Sequence, residues 1–408
     1  MPNFNIETLE SRELLAGVTL LIHGLDGNIT GWETAVADDI ALRIGTPQVS
    51  QYVLKISGDS DGDPFVKSFT LQHGPQLKET TTAEAVVKVD WTDVDSGLPF
   101  TGDVGDVIAD YLLTSHGTMP PLAQLPIHLI GHSRGASVAT AISEKLGKAG
   151  VWVDQQTYLD PVALPQVLGF GDTPLKIFSN VIFADDYWRT DGKDNFDPDG
   201  SYVKGTHQGN LNDIVQKQFI GSAHMSVPAY YDGTINPNAI MDRDEPIFPS
   251  WYGNTAAKPP RTSTGFYFSR IRGGARPADG LVPGFGGTAT RSSVSSSRKQ
   301  WANGGGLDVF GGSSFSVGQK LTVRFVHQDS DGPSNVTLFL DSDRNPYNNN
   351  VAKVMRRFNF DKTPAMTVAH LSALTAGTAP GKYYVGAYFS DADGHARYAY
   401  TTRQITLA

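Results

Sequence analysis

Two patterns of apolar and polar positions divide this chain. Through residue 245, short continuous apolar runs alternate with stretches of helical period; over 306–408 only period-two alternation remains. Val18 to Ile22 reads as a buried strand, and 31–45 carries Trp32, Val36, Ile40 and Ile44 on one helical face. Residues 50–58 are the next strand, and 64–91 alternate in β fashion. The segment 103–115 is a helix leading to the apolar run Ile127 to Ile130. A second helical pattern follows at once, with small residues (Ala136, Ala139, Ala141) beside Val138, Ile142 and Leu146, closed by Gly147 and Gly150. Val151 to Leu159 and 176–188 are further strands. Strands alternating with helices imply a mainly parallel sheet with right-handed crossovers.

The C-terminal pattern differs. Short alternating runs such as 314–330, 334–343, 351–360, 365–374, 381–392 and 397–407 are bounded by turns, which predicts a β-sandwich of immunoglobulin-like or related type. Between the two regimes, 246–305 is rich in Pro, Gly and Ser, and basic, with Lys258, Arg261, Arg270, Arg272, Arg276, Arg291, Arg298 and Lys299. It reads as a connecting segment with solvated charges, or as a basic collar for an anionic surface. Gly265 to Ile271 within it could add a strand to the sheet edge. The expected organisation is therefore an N-terminal segment (1–17), an α/β domain (18–245), the connecting segment (246–305) and a β-sandwich (306–408).

The junction of strand and helix at 131–135 is Gly-His-Ser-Arg-Gly. A serine hydroxyl is a poor nucleophile unless it is held exposed beside a base. A sharp strand-to-helix turn does the holding, and flanking glycines let the two elements pass closely. This makes Ser133 the candidate nucleophile. Asp160 falls at the end of the following strand, where a carboxylate reaches the ligand-binding end of an open α/β sheet. Of the two histidines in the next hundred residues, His224 is the first choice for a base and His207 the runner-up. Asp186 is the runner-up acid. An oxyanion hole calls for the N–H of the residue after the nucleophile, Arg134, and one from the first strand–loop junction, Leu25 after His23-Gly24. His23, Tyr187 and Trp188 are candidate pocket residues.

In that order, "LIHGLDG", "VKVDWTD", "IHLIGHSRGAS", "TYLDPV" and "SAHMSVPAYY" resemble the α/β-hydrolase superfamily on its lipase and esterase side, over roughly residues 18 to 235. The resemblance implies a Ser133–Asp160–His224 triad, cleavage of carboxylic esters, an ester or lipid-like small-molecule substrate and no cofactor. Arg134 stands where many lipases carry Gln, Met or Leu, so a more polar pocket mouth is expected. Gly58 to Glu84 looks inserted. The polar loop 189–202 offers no apolar lid face, which favours esterase-like access. The rivals are acyl transfer or peptide hydrolysis at the same site, and a non-enzymatic surface or binding protein on the same scaffold.

Composition narrows the classes. The 408 residues allow two or three domains, and a net charge of −9 argues against a nucleic-acid partner. The absence of cysteine excludes disulfides and thiolate metal sites. Asp59–Asp63, Asp329–Asp331 and Asp341–Asp343 are acidic turns at which calcium is conceivable, though none has a full EF-hand loop. No apolar run approaches the roughly 20 residues of a transmembrane helix. Leu9, Glu10, Arg12, Leu14 and Leu15 resemble a Leu-Glu-Pro-Arg-x-Leu-Leu motif of planctomycete exported proteins, with Ser11 in place of proline. That resemblance implies a bacterial, exported or cell-surface protein; by analogy with β-sandwich modules on exported enzymes, the C-terminal domain would serve surface association.

Overall fold

The structure is a computed structural model. It describes residues 17–45, 48–95, 100–165, 171–191, 198–215, 223–270, 276–277, 290–295 and 299–408. The N-terminal motif at 9–15 lies outside the described residues.

The first regime forms one eight-stranded sheet. Its strands are β1 (Gly17–Ile22), β2 (Val49–Gly58), β3 (Pro64–His73), β4 (Glu84–Asp90), β5 (Ile127–His132), β6 (Val153–Leu159), β7 (Val181–Trp188) and β8 (His207–Asn210). They lie in the order β3-β2-β4-β1-β5-β6-β7-β8. Pairing is parallel except for β3, the far strand of the expected insertion, which runs antiparallel to β2. Helices α1 (Trp32–Ile44) and α4 (Ala223–Ile235) cover one face, and α2 (Thr101–Leu113) and α3 (Gly135–Lys148) the other. The alternation of side chains explains the layering. Val18, Leu20 and Ile22 of β1 join Ile127 and Leu129 of β5 in the core under α2 and α3. Leu21 and Ile130 point the opposite way, into the core with Val36, Ile40 and Val227.

The second regime forms β9 (Asn303–Phe310), β10 (Ser314–Phe315), β11 (Lys320–Asp329), β12 (Ser334–Asp341), β13 (Val351–Phe360), β14 (Thr363–Leu374), β15 (Gly381–Asp391), β16 (Ala396–Tyr400) and β17 (Ile405–Leu407). One sheet runs β10-β17-β15-β12-β13, with β16 also on β15; the other runs β14-β11-β9. Leu321, Val323 and Phe325 of one sheet pack with Leu338, Val385 and Phe389 of the other, so the two are layers over one core.

This sandwich seats on the amino ends of the parallel strands. Arg397 of β16 is buried and donates to the carbonyls of Trp152 (2.8 Å) and Leu125 (3.0 Å), just ahead of β6 and β5. Its third bond, 2.7 Å to Asn303 Oδ1, stays within the sandwich. Asn345 donates to the Leu77 and Thr80 carbonyls at 2.7 and 2.6 Å. Phe339, Tyr384 and Tyr400 complete the apolar core beneath α2 and α3.

The connecting region corrects two expectations. Gly265–Phe268 is a 3-10 turn rather than an edge strand, and Phe266 and Phe268 are buried. The edge position belongs to β8, which the sequence disguised as a polar glycine-rich stretch. Among the described residues, the arginines are not a free collar either, and Arg272 and Arg298 lie outside the described residues. Arg270 and Arg276 both pair with Asp154 at 2.7 Å, Arg291 donates to Gly205 O at 2.7 Å, and Arg261 lies over the Tyr252 ring. No described helix is long and apolar enough to cross a membrane, which says nothing of β-barrel spans.

Replacing Arg397 by methionine strands two carbonyls at the seam. We expect it to lower stability by about 3 kcal/mol. Urea unfolding followed by tryptophan fluorescence measures this; an unchanged midpoint would show that the seam does not depend on this side chain.

Candidate active site

Strand order reverses at β1 and β5, since successive strands are laid on opposite sides of that pair. The crevice beyond the carboxyl ends of such strands is where open α/β sheets bind ligands. Ser133 stands there. Its φ of 53° is left-handed, a conformation that a serine adopts only when its surroundings enforce it. Here they do. Ser133 N–H donates to Leu159 O (3.0 Å) and its carbonyl accepts from Val162 N (3.1 Å). Gly135 lies so close to the Ile22 and His23 carbonyls that a Cβ would overlap them. Across the crevice, a Cβ on Gly24 would sit 2.6 Å from Ser133 Cβ and 3.0 Å from its Oγ. The first strand–loop junction therefore borders the serine.

Asp160 also has a positive φ, 45°, and is fully buried at the end of β6. Its N–H donates to Tyr187 O at 2.7 Å. One carboxylate oxygen, Oδ2, lies 2.7 Å from His224 Nδ1. His224 is in the first turn of α4 and is 7% exposed. His132, next to the serine, meets it from β5, with Nε2 3.2 Å from His224 O and ring centroids 4.5 Å apart. Burial, with His224 beside it, holds His132 well below the usual histidine range, so it is neutral at pH 7.

The remaining candidates separate. Leu25 is 46% exposed at the crevice edge. Arg134 opens α3, but its side chain does not make the mouth polar as expected. It is buried, with Nε 2.9 and 3.0 Å from the two Asp172 oxygens, NH1 on the Asp95 carbonyl, and the guanidinium over Trp91. Asp172 in turn accepts from Leu164 N at 2.9 Å, so Arg134 ties down the loop that follows Asp160. His23 is not a pocket wall: it is 1% exposed, stacked on Trp91, and its Nδ1 is 2.8 Å from Gly24 O, bracing the turn. Tyr187 does not line a mouth either. It is wholly buried in the α1–α4 layer, and its hydroxyl accepts from Gly265 N at 2.5 Å. Trp188 is half-buried, with its indole N–H on Gln208 and its ring edge-on to Tyr202.

The runners-up lie elsewhere. Asp186 points to the opposite face of β7 from Tyr187 and accepts from Val203 N at 2.8 Å. His207 opens β8 opposite Asp185, three strands from β5, or about 14 Å by strand spacing alone, and packs against Phe268. The acidic turns use their carboxylates as turn acceptors. Asp59 Oδ1 takes the N–H of Asp61 and Asp63, Asp329 Oδ1 that of Gly332, and Asp341 Oδ1 that of Asp343. Among the described residues, no three His, Asp or Glu side chains group as a metal cage.

Sequence reasoning missed Arg189. It follows β7, is fully buried, and places its N–H 3.0 Å from Asp160 Oδ1 and its Nε 3.3 Å from Oδ2. An arginine after a strand reads as surface, and only Asp160, 29 positions away, reveals otherwise.

No family model and no curated protein matches this chain. Among solved structures, it is similar to a protein described as a cell surface hydrolase from Lactobacillus plantarum, at 11% identity and TM-score 0.34, covering 55% of this chain and 91% of that one. A β-glucosidase from Erythrobacter marinus matches at 14% identity and TM-score 0.20 over 26% of this chain; the alignment spans 15% of the glucosidase's length. A PKD domain of an M14-like peptidase from a Thermoplasmatales archaeon matches at 16% identity and TM-score 0.16, over 26% of this chain and 94% of that one. Likenesses this distant carry no argument, and the fold stands on its own topology.

Burial raises the Asp186 carboxyl well above its ordinary value, with Asp160 and Asp185 adding repulsion. A folded value above the unfolded one favours folding at low pH, and that contribution is lost as pH rises through the folded value. Asp186→Asn should therefore gain stability relative to wild type as pH rises from 4 to 8. Thermal unfolding across that range tests it, and a variant that loses stability toward pH 8 would contradict the assignment.

Proposed function

We propose that this chain is a serine hydrolase of the α/β-hydrolase type that cleaves carboxylic esters. The observation that carries the reading is the 2.7 Å pairing of His224 Nδ1 with the buried Asp160 at the end of β6, with Ser133 held at φ 53° at the end of the neighbouring β5. In this reading, Ser133 Oγ attacks the ester carbonyl while His224 Nε2 takes its proton. Asp160 fixes the tautomer and stabilises the imidazolium. The tetrahedral oxyanion is held by the N–H groups of Leu25 and Arg134. The carbon–alkoxy bond breaks, His224 gives the proton to the leaving alcohol, and an acyl-enzyme remains. Water, deprotonated by His224, attacks it; the acid leaves and Ser133 is restored. Parallel strands with both faces covered support the fold type, and the serine at their switch point supports the site.

Labelling by a fluorophosphonate and turnover of short p-nitrophenyl esters test this. Ser133→Ala and His224→Ala should lose about 10³-fold or more in kcat/KM, with labelling abolished in Ser133→Ala. Asp160→Asn should be similarly impaired, while Asp186→Asn and His207→Ala retain activity. A folded wild type that neither labels nor turns over ester would sink the reading.

Gly24→Ala probes the oxyanion side. Its Cβ would press on Ser133, so the first strand–loop junction must retreat from the serine. We expect kcat to fall about 10²-fold with KM changed far less. Equal kcat in the variant would remove this turn from the machinery.

A further inference from the structure

The Asp160 carboxylate has a second cationic neighbour that the triad does not require. Arg189 brings two groups to it, the main-chain N–H at Oδ1 (3.0 Å) and the guanidinium Nε at Oδ2, 3.3 Å away on the oxygen that faces His224. The arginine is held in turn by Asp191, whose Oδ1 is 2.8 Å from NH1, and by the Pro198 carbonyl at NH2. Its own carbonyl accepts from Gly200 N at 2.8 Å, and a Cβ on Gly200 would overlap Asp160 Oδ1, so Gly200 lies directly against the acid. Neither Asp160 nor Arg189 is exposed. A buried carboxylate needs a compensating charge to remain ionised, and an imidazole supplies one only when protonated.

We propose that Arg189 is a positioning residue that keeps Asp160 ionised and aligned while restraining His224 from holding a proton, and so sets the acid limb of the pH–rate profile. This rests on the ester-hydrolase reading for its kinetic expression, but not for the Asp160–His224 coupling itself. The reasoning is electrostatic. A carboxylate alone raises the proton affinity of the imidazole it faces; a guanidinium on the same oxygen offsets part of that attraction. Ser133 is activated only by neutral His224, so the offset extends activity toward lower pH.

The other titratable groups around the pair do not supply this charge. His132 on β5 and His23 at the end of β1 are both pushed toward the neutral form by burial. Asp186 on β7 is pushed toward its neutral form, and Asp185 lies on the other face of that strand with Thr157 and Gln155. Glu245, which bonds Ser226 of α4, is pushed up to about 7 by burial and can titrate in the same window, so Glu245→Gln serves as its control. Among the described residues, Asp191 is a further charge on Arg189. It is about one-third exposed and acts on the pair through Arg189.

The experiment combines an NMR titration of the His224 ring, assigned with His224→Asn, and the pH profile of kcat/KM on a short p-nitrophenyl ester. Both are run on wild type, Arg189→Met, Arg189→Lys, Asp191→Asn and Glu245→Gln. In Arg189→Met the His224 titration and the acid limb should both move up by about one pH unit. Arg189→Lys, which keeps the charge, should return both most of the way. Asp191→Asn, which leaves Arg189 less neutralised, should move both down. Glu245→Gln should leave both in place. If His224 titrates alike in wild type and in the Arg189 and Asp191 variants, the proposal is overturned. Should Arg189→Met fail to fold, the lysine and Asp191 variants decide by the same opposed signs. A wild type without esterase activity defeats the ester reading alone, and the titration still decides the role of Arg189.

Discussion

Gly135 rests against the carbonyls of Ile22 and His23 with no space for a side chain, and much else follows from that contact. It brings the start of α3 directly over the end of β1. The chain can make that approach only by turning sharply after β5, which is why Ser133 sits at φ 53°. The same approach sets Gly24 against the serine, so the turn after β1 and the turn after β5 form two walls of one crevice. The strain is localised. The strands below it are regular and parallel, with apolar side chains alternating into two cores.

At the carboxyl ends of those strands the protein buries charge in pairs. Asp160 is held by Arg189 and His224, and Asp172 by Arg134. Pairing matters because removing one partner leaves the other charged in a poor solvent. Where burial lacks a full counter-charge, the neutral form is favoured: Asp186 is pushed up and His132 down. The result is a crevice whose net charge depends on a few paired groups rather than on a solvated surface.

The sheet was legible because its strands are nearly continuous apolar runs, and the turn at Ser133 because Gly131 and Gly135 flank it in a strand-to-helix context. Asp160 was legible by its place at a strand end. Other features were hidden for physical reasons. β8 is His-Gln-Gly-Asn and carries no apolar signal; it is a strand because β7 offers an open edge. Period two places Asp185 and Tyr187 on one face of β7 and Asp186 on the other, but does not say which layer each face meets. Arg134, Arg189, Arg270 and Arg276 pair with carboxylates 29 to 122 positions away, and nothing local distinguishes them from surface arginines. The connecting segment looked like a linker for the same reason: its charges are satisfied by residues that are distant in sequence.

The two ends of the parallel strands thus do different work. At the amino ends, Arg397, Asn345 and a set of aromatic side chains bind the sandwich to the sheet. Those bonds satisfy carbonyls ahead of β5 and β6 that would otherwise face an apolar seam. At the carboxyl ends, the crevice is framed by turns carrying glycine and strained residues, which no second domain among the described residues covers in the same way. β6 spans seven residues between Trp152, beneath the sandwich, and Asp160, beside His224. At about 3.3 Å per residue, that separates seam and crevice by more than 20 Å. A sandwich docked at one end can therefore stiffen the strands that carry Ser133 and Asp160 without obstructing access to them. β5 and β6, whose amino ends it grips and whose carboxyl ends carry both residues, are its direct route to the crevice, and Asn345 adds a hold ahead of β4.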